Sequence, residues 1–272
     1  MNMQADTHDS FEGWLTGGAV QMPGAGIPWL DVARSEALDQ LRTQGLPTTK
    51  QEAWRYTGLK TLAEQPFTLC TESMTAVEAE DLEDLLIPDL DAHRAVLVNG
   101  RFMPHLSDLE GLPGGVRAGG LRSILESDPD ALEGLLNRVA HGGSHVFSAL
   151  NTAGLDDGFV LLLDEGTQVE RPIELIHLSV GMDEPRLSQP RHLVALAADA
   201  KAALIERYVS LGQSLYCTNS VLELMLGRGA VLEHDRVQLE SPNAFHITGL
   251  YLSQADKSFY RGVNLGLGAS WA

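Results

Sequence analysis

Four histidines, His177, His192, His234 and His246, fall in segments whose apolar and polar residues alternate as in β-strands. Imidazole titrates near neutrality and ligates iron, zinc and copper. Stacked strands would bring these rings into one ladder, although no pair among the four has the short spacing of a local metal motif. The plainer expectation is that they are outward polar positions or satisfied edge residues. Cys217 lies in another such segment, where a thiolate would hold iron or a persulfide, whereas a free cysteine commonly packs as a small buried hydrophobe. Cys217, His234 and His246 are therefore the candidates for a cofactor contact, and Cys70 is a weaker one. No residue set specifies a resident metal, and no GxSxG, HExxH or Walker motif names a catalytic centre.

His141 and His145 have i, i+4 spacing, but Gly142-Gly143 between them disfavours a helix, and the segment reads as a linker. Gly227-Arg228-Gly229 and Leu265–Gly268 open no helix, so they read as turns and not as phosphate loops. Residues 50–59, KQEAWRYTGL, form the densest aromatic and charged cluster. Trp54 and Tyr56 could stack on a ligand with Arg55 beside an anion; the expected role is an anchor between the helical and β halves.

The elements that must position these groups change character along the chain. Helices are predicted from Trp29 to Gln44, from Ala76 to Leu86, and from Asp128-Pro129 through the stripe Leu132, Leu135, Leu136 and Val139. Asn99-Gly100 predicts a hairpin over Ala95–Phe102. From Phe159 onward, alternating strands are joined by small or polar turns at Gly166, Ala200, Gly229 and Asp256, at intervals of 34, 29 and 27 residues. Rungs of this size with no helix between them indicate a β-solenoid. The predicted division is a disordered lead-in at 1–28, a mainly helical or mixed region at 29–146, and a parallel β-helix from 147 to 272. In the rung after Gly229, Val231, Val237 and Leu239 are expected on one face, with His234, Arg236 and Gln238 on the other. Phe259, Val263, Leu265 and Leu267 are expected to form the inward face of an open last rung. Such an edge invites homo-association.

Net charge is −18, with 37 acidic and 19 basic residues, which disfavours nucleic acid and anionic membranes as partners. The N-terminus lacks a signal-peptide pattern, and no segment has the run of about 20 apolar residues that spans a bilayer. With two distant cysteines, these features predict a cytoplasmic protein that binds no iron–sulfur cluster tightly by itself.

Several segments resemble one known family. KQEAWRYTGL is similar to the E-x-W-[KR]-Y-T signature of SufD-type scaffold proteins of the SUF iron–sulfur assembly system, placing it on Glu52, Trp54, Arg55, Tyr56 and Thr57. Residues 96–116 (VLVNGRFMPHLSDLEGLPGGV), 147–158 (FSALNTAGLDDG) and 169–179 (VERPIELIHLS) are also similar. The likeness continues through 189–197, 204–212 and 229–247. It favours the SufD over the SufB branch, because Leu252-Ser253-Gln254 stands where SufB carries a cysteine.

The resemblance implies a helical N-terminal part and a right-handed β-helix, with a non-enzymatic scaffold role. It implies pairing with a SufB-like subunit, docking of a SufC-like ABC ATPase through a further helical part, and a nascent cluster held transiently at the SufB junction. Family members run longer, so this chain is expected to be a SufD truncated before the docking and junction residues. The alternatives are a carbohydrate-active β-helix enzyme and an inactive remnant.

Overall fold

The computed structural model describes residues 13–15, 22–70, 77–141 and 145–272. Most of the lead-in, residue 76 at the start of the expected second helix, and Gly142-Gly143 lie outside them. Two sheets dominate the described residues. One contains β1 (Thr68–Leu69), β4 (Val116–Gly120), β5 (Phe159–Leu163), β7 (Arg186–Ser188), β8 (Arg191–Leu196), β10 (Tyr216–Leu226) and β12 (Phe245–Gln254). The other contains β2 (His93–Val98), β3 (Arg101–Phe102), β6 (Ile173–Val180), β9 (Lys201–Leu211), β11 (Val231–Leu239) and β13 (Phe259–Gly266). From β5 onward the chain passes back and forth between the sheets, β7 and β8 sharing one pass through the first, and stacked strands pair in parallel. The result is a β-solenoid of about four turns.

The tight turns explain how the rungs stack. They lie at Glu165-Gly166, Ala198-Asp199, Arg228-Gly229 and Asp256-Lys257, and the second residue of each has positive φ: 72°, 57°, 71° and 59°. In the second turn that residue is Asp199, one before the expected Ala200. An aspartate tolerates the left-handed region better than an alanine. Each of the first three then donates its N–H to the next rung's turn: Gly166 to Ala198 O, Asp199 to Arg228 O, and Gly229 to Asp256 O, at 2.8–3.0 Å. The turns thus form a ladder continuous with the sheets.

The β region begins earlier than Phe159. The hairpin at Asn99-Gly100 is present, with φ of 48° and 87°, and its first strand, β2, pairs in parallel with β6. β4 closes the other sheet by pairing antiparallel with β5.

The two faces of β11 divide as expected, and one face assignment, on β13, is corrected. On β11 the buried positions are Leu232, His234 and Gln238, while Leu239 is exposed. Register places Tyr260, Gly262, Asn264 and Gly266 of β13 over the inward residues of β11. Phe259, Val263, Leu265 and Leu267 therefore lie on the outer face, where they are exposed. The apolar residues of these strands did not mark the inside, because the lumen at this level is polar.

Helices cover the outer faces. α1 (Pro28–Gln44) matches its predicted span and buries Leu30, Ala37 and Leu41. It packs on α5 (Val146–Ala153), every residue of which is buried. With α2 (Lys60–Ala63) this layer closes over Leu187, Cys217 and Phe245. Trp14 joins it, 6.0 Å edge-on to Phe67. α4 (Leu121–Ser127) covers Val160 and Leu193. The other sheet is covered around Ile176 and Leu178 by Val77, Met103 and Leu106, with Leu82 from α3 (Glu80–Glu83). α3 is the described remnant of the expected helix at 76–86. The stripe Leu132–Val139 is buried in part but forms turns after a 3₁₀ segment at Pro129–Ala131, because Gly134 and Asn137 adopt positive φ.

Asp156 and Asp157 tie these layers together. Asp156 pairs with Arg101 at 2.6 Å and with Arg122. Asp157 accepts from the N–H groups of Phe102, Arg122 and Gly158 at 2.8–3.0 Å. Burial pushes its carboxyl up to about 6, against those three donors, which favour the charge. A carboxyl raised on folding contributes stability that is complete below its unfolded value and is lost as pH rises through 6. The full span is worth about 3 kcal/mol. We expect the urea midpoint to show this fall between acid and neutral pH, and Asp157→Asn to lack that component. Parallel profiles for the two proteins would contradict the assignment.

Candidate functional site

The lumen has two halves. Beside the tight turns it is filled by Phe159, Leu161, Leu163, Val194, Leu196, Leu224 and their neighbours. Toward the opposite edge the same inward rows carry His177, His192, Glu206, Tyr208, Ser220, His234 and His246, all buried. All four histidines singled out by sequence are thus on buried inward positions, contrary to the outward or edge expectation.

Parallel stacking brings these groups into contact. His177 and Tyr208 occupy paired register positions, and their rings stack at 4.1 Å and 7°. His192 meets His177 edge-on at 4.8 Å, and His246 meets Tyr208 edge-on at 4.5 Å. Glu206 is the hub. Tyr208 donates its hydroxyl to Glu206 Oε1 at 2.6 Å and lies 2.8 Å from Ser220 Oγ. His234 Nε2 lies 3.1 Å from Glu206 Oε2, and His177 Nε2 lies 3.4 Å from Oε1. A carboxylate only accepts, so His234 carries a proton on Nε2, and in the neutral ring Nδ1 accepts from Tyr260 Oη at 3.1 Å. This line reaches the half-buried ring of Tyr260 on the last strand.

A second carboxylate, Glu240, lies 2.7 Å from His246 Nδ1 and accepts from Gln238 at 2.8 Å. His246 Nε2 also contacts Thr248. Burial opposes charge on Glu206 and Glu240, but the adjoining imidazoles outweigh it and hold both carboxyls below their usual range. Burial, reinforced by His177, pushes His192 down to about 3, so this ring is neutral. Burial and Glu206 together push the Tyr208 hydroxyl well above its usual range. The lumen therefore holds two carboxylates kept charged, the neutral His192 ring, further imidazoles and hydroxyls, all buried, an arrangement able to bind a cation or relay protons.

The cysteine candidates lie elsewhere. Cys217 is on the outer face of β10, packed with Phe67, Phe147 and Phe245, and burial pushes its thiol above the usual range. That environment suits packing and not thiolate chemistry. Cys70 is also buried, 3.8 Å from the Met182 sulfur. His145 caps α5, its Nδ1 accepting from Phe147 N–H at 3.3 Å, and His141 is exposed. In the signature segment, Trp54 packs on His145 and Phe147 at 5.2 and 5.8 Å. Glu52 and Arg55 are exposed, Thr57 is partly exposed, and Tyr56 is 90% exposed with the Arg55 guanidinium 5.7 Å from its ring centre. The anchoring thus falls on Trp54. Glu206, Tyr208 and Glu240 were missed in the sequence reading, although carrying the period-two register of His177 across to the next strand leads to Tyr208 and Glu206.

Residues 24–175 match the family model described as the SufBD protein N-terminal region, and residues 178–272 match the SUF system FeS cluster assembly SufBD core domain. The chain belongs to the SufBD family. Within that family it is 31% identical over 244 residues to the iron-sulfur cluster assembly SufBD family protein slr0076 of Synechocystis, covering 87% of this chain and 53% of that one. It is 30% identical over 237 residues to the iron-sulfur cluster assembly protein SufD of Escherichia coli, covering 84% and 51%. Protein ABCI7, chloroplastic, of Arabidopsis thaliana is 25% identical over 254 residues, covering 90% and 52%. The chain thus spans about half the length of the curated SufBD relatives it matches. Among its described residues, no helix is long and apolar enough to cross a membrane.

Proposed function

We propose that the chain is a SufD-like scaffold component of an iron–sulfur cluster assembly complex, pairing with a SufB-like subunit and working with a SufC-like ATPase in the cytoplasm. The observation that carries this reading is the match to both SufBD regions, joined to 30% identity with a named SufD across 84% of the chain. The role is structural and not enzymatic. The cluster is cargo: cysteine thiolates ordinarily hold such clusters, and both cysteines here are buried, Cys217 among apolar side chains. Its soft ligands therefore come chiefly from a partner, and the cluster is held transiently at the shared interface.

The outer edge of β13, with Phe259, Val263, Leu265 and Leu267 exposed beside it, supports a further strand or a second copy pairing there. A carbohydrate-active β-helix would present its carboxylates to an open groove, whereas Glu206, Glu223 and Glu240 are buried. Expressing the full gene product containing this chain in a bacterium deleted for SufD tests the reading. Restored activity of iron–sulfur enzymes is expected. A soluble, abundant product that restores none would overturn it.

A further inference from the structure

Among the described residues, two lumen imidazole nitrogens beside Glu206 have neither a hydrogen-bond nor an ion-pair partner, Nδ1 of His177 and Nε2 of His192, while His177 Nε2 faces Glu206 Oε1 at 3.4 Å. Both rings are buried, and native folds seldom leave buried polar atoms unmatched. One donor atom from each of His177, His192 and Glu206 lies within 4.8 Å of the other two. Bonds to a zinc-like ion are about 2.0–2.2 Å long, so these atoms need close by only roughly an ångström to share one ion. Glu206 already supplies a carboxylate fixed by Tyr208 and His234, as outer partners fix a metal ligand.

We propose that His177, His192 and Glu206 bind one divalent first-row transition cation inside the solenoid. Two imidazoles and one carboxylate suit zinc and its neighbours and not calcium or magnesium, which prefer oxygen. Three protein ligands also leave a coordination position open. The site is independent of partner binding. The polar line from Glu206 through His234 to the half-buried Tyr260 gives it a hydrophilic approach from the last rung.

Proton placement gives the proposal a specific signature. Phe159 N–H donates to His192 Nδ1 at 3.0 Å, so the neutral ring carries its proton on Nε2. A neutral imidazole that ligates through Nε2 carries its proton on Nδ1; one that ligates through Nδ1 has no lone pair left there. Either way, loading releases the Phe159 N–H. Binding therefore changes a backbone amide that touches no ligand in the exposed part of the protein.

The test uses the untagged chain titrated with Co²⁺. One equivalent should bind, with visible d–d absorption of a low-coordinate nitrogen and oxygen site, displacement by Zn²⁺, and a shifted Phe159 amide resonance. His177→Gln and His192→Gln should each weaken binding at least tenfold, consistent with loss of a direct ligand, while His141→Gln should leave it unchanged. If either lumen variant fails to fold, X-ray absorption of the loaded wild-type chain decides the matter, with two imidazoles expected around the metal. Absence of stoichiometric binding, a loaded site with fewer than two imidazoles, or binding indifferent to both lumen substitutions would overturn the proposal.

Discussion

Replacing Arg191 by methionine should destabilise the chain by about 3–5 kcal/mol, because it leaves a buried carboxylate without its cation. Arg191 is 1% exposed and lies 2.7 Å from Glu223, which is 0% exposed. The guanidinium also donates to Asn151 Oδ1, Thr152 Oγ1 and Asn137 Oδ1 at 3.1–3.2 Å. Glu223 in turn accepts from the N–H groups of Asn137, Val139 and Ala140 at 2.7–3.0 Å. This one pair thus fastens Asn137, Val139 and Ala140 and the last turn of α5 to two adjacent rungs. Burial opposes the charge on Glu223, but Arg191 and those backbone donors hold its carboxyl below the ordinary value. Its contribution is therefore present above that ordinary value and is lost as pH falls through the lower folded-state one, opposite in sign to Asp157. Urea unfolding at neutral pH measures the effect. A loss under about 1 kcal/mol would show that the pair does not join the layers, since that is the scale of an exposed pair.

Gly158→Ala should have the larger effect. A Cβ there would sit 1.7 Å from Arg191 O and 2.6 Å from its carbonyl carbon, both backbone atoms. Neither strand can yield easily, because Arg191 N–H donates to Asp157 O at 3.0 Å beside the contact. The expected loss exceeds about 4 kcal/mol, a large part of a typical net stability of 5–15 kcal/mol. The chain should lose its soluble folded form. Gly166→Ala is the control: its Cβ meets nothing within 4 Å, and only its φ of 72° opposes the change. That should cost about 1–2 kcal/mol. Expression, solubility and thermal melting of the two variants measure the difference. Equal behaviour would mean that the rungs at Gly158 are not packed as described.

The solenoid was legible in sequence because turn chemistry and period-two alternation agree from Phe159 onward. What was not legible was which face of a strand is inside. On β6 and β9 the outer face is also buried, under Val77, Leu82 and Leu106, so Ile176 and Leu178 are apolar and face outward. On β11 the inward residues His234 and Gln238 are polar because they meet Glu206 and Glu240. Apolarity identifies burial, and in a layered solenoid burial does not identify the lumen. Helix α5 was missed although Val146, Ala149, Leu150 and Ala153 keep helical spacing, because eight residues are too short a pattern to tell a buried helix from a connecting segment. The stripe after Pro129 suggested a helix because leucine spacing says nothing of the left-handed backbone at Gly134 and Asn137.

Four histidines could be named from sequence, yet their convergence depends on register. His177 pairs with Tyr208 and Tyr208 with Gln238, positions about thirty residues apart whose pairing is set by turn length. The glutamates that organise the lumen carried no local motif. By contrast, Cys217 drew attention through its chemistry, and the outer face of β10 gives it a packing role.

The most direct measurement of the account is size-exclusion chromatography with light scattering of the full gene product, mixed with SufB-like and SufC-like proteins from the same genome. The account predicts one stoichiometric complex containing all three, and self-association of the 272-residue chain alone through its exposed last strand. Folded proteins that elute separately, with this chain a stable monomer, would contradict it.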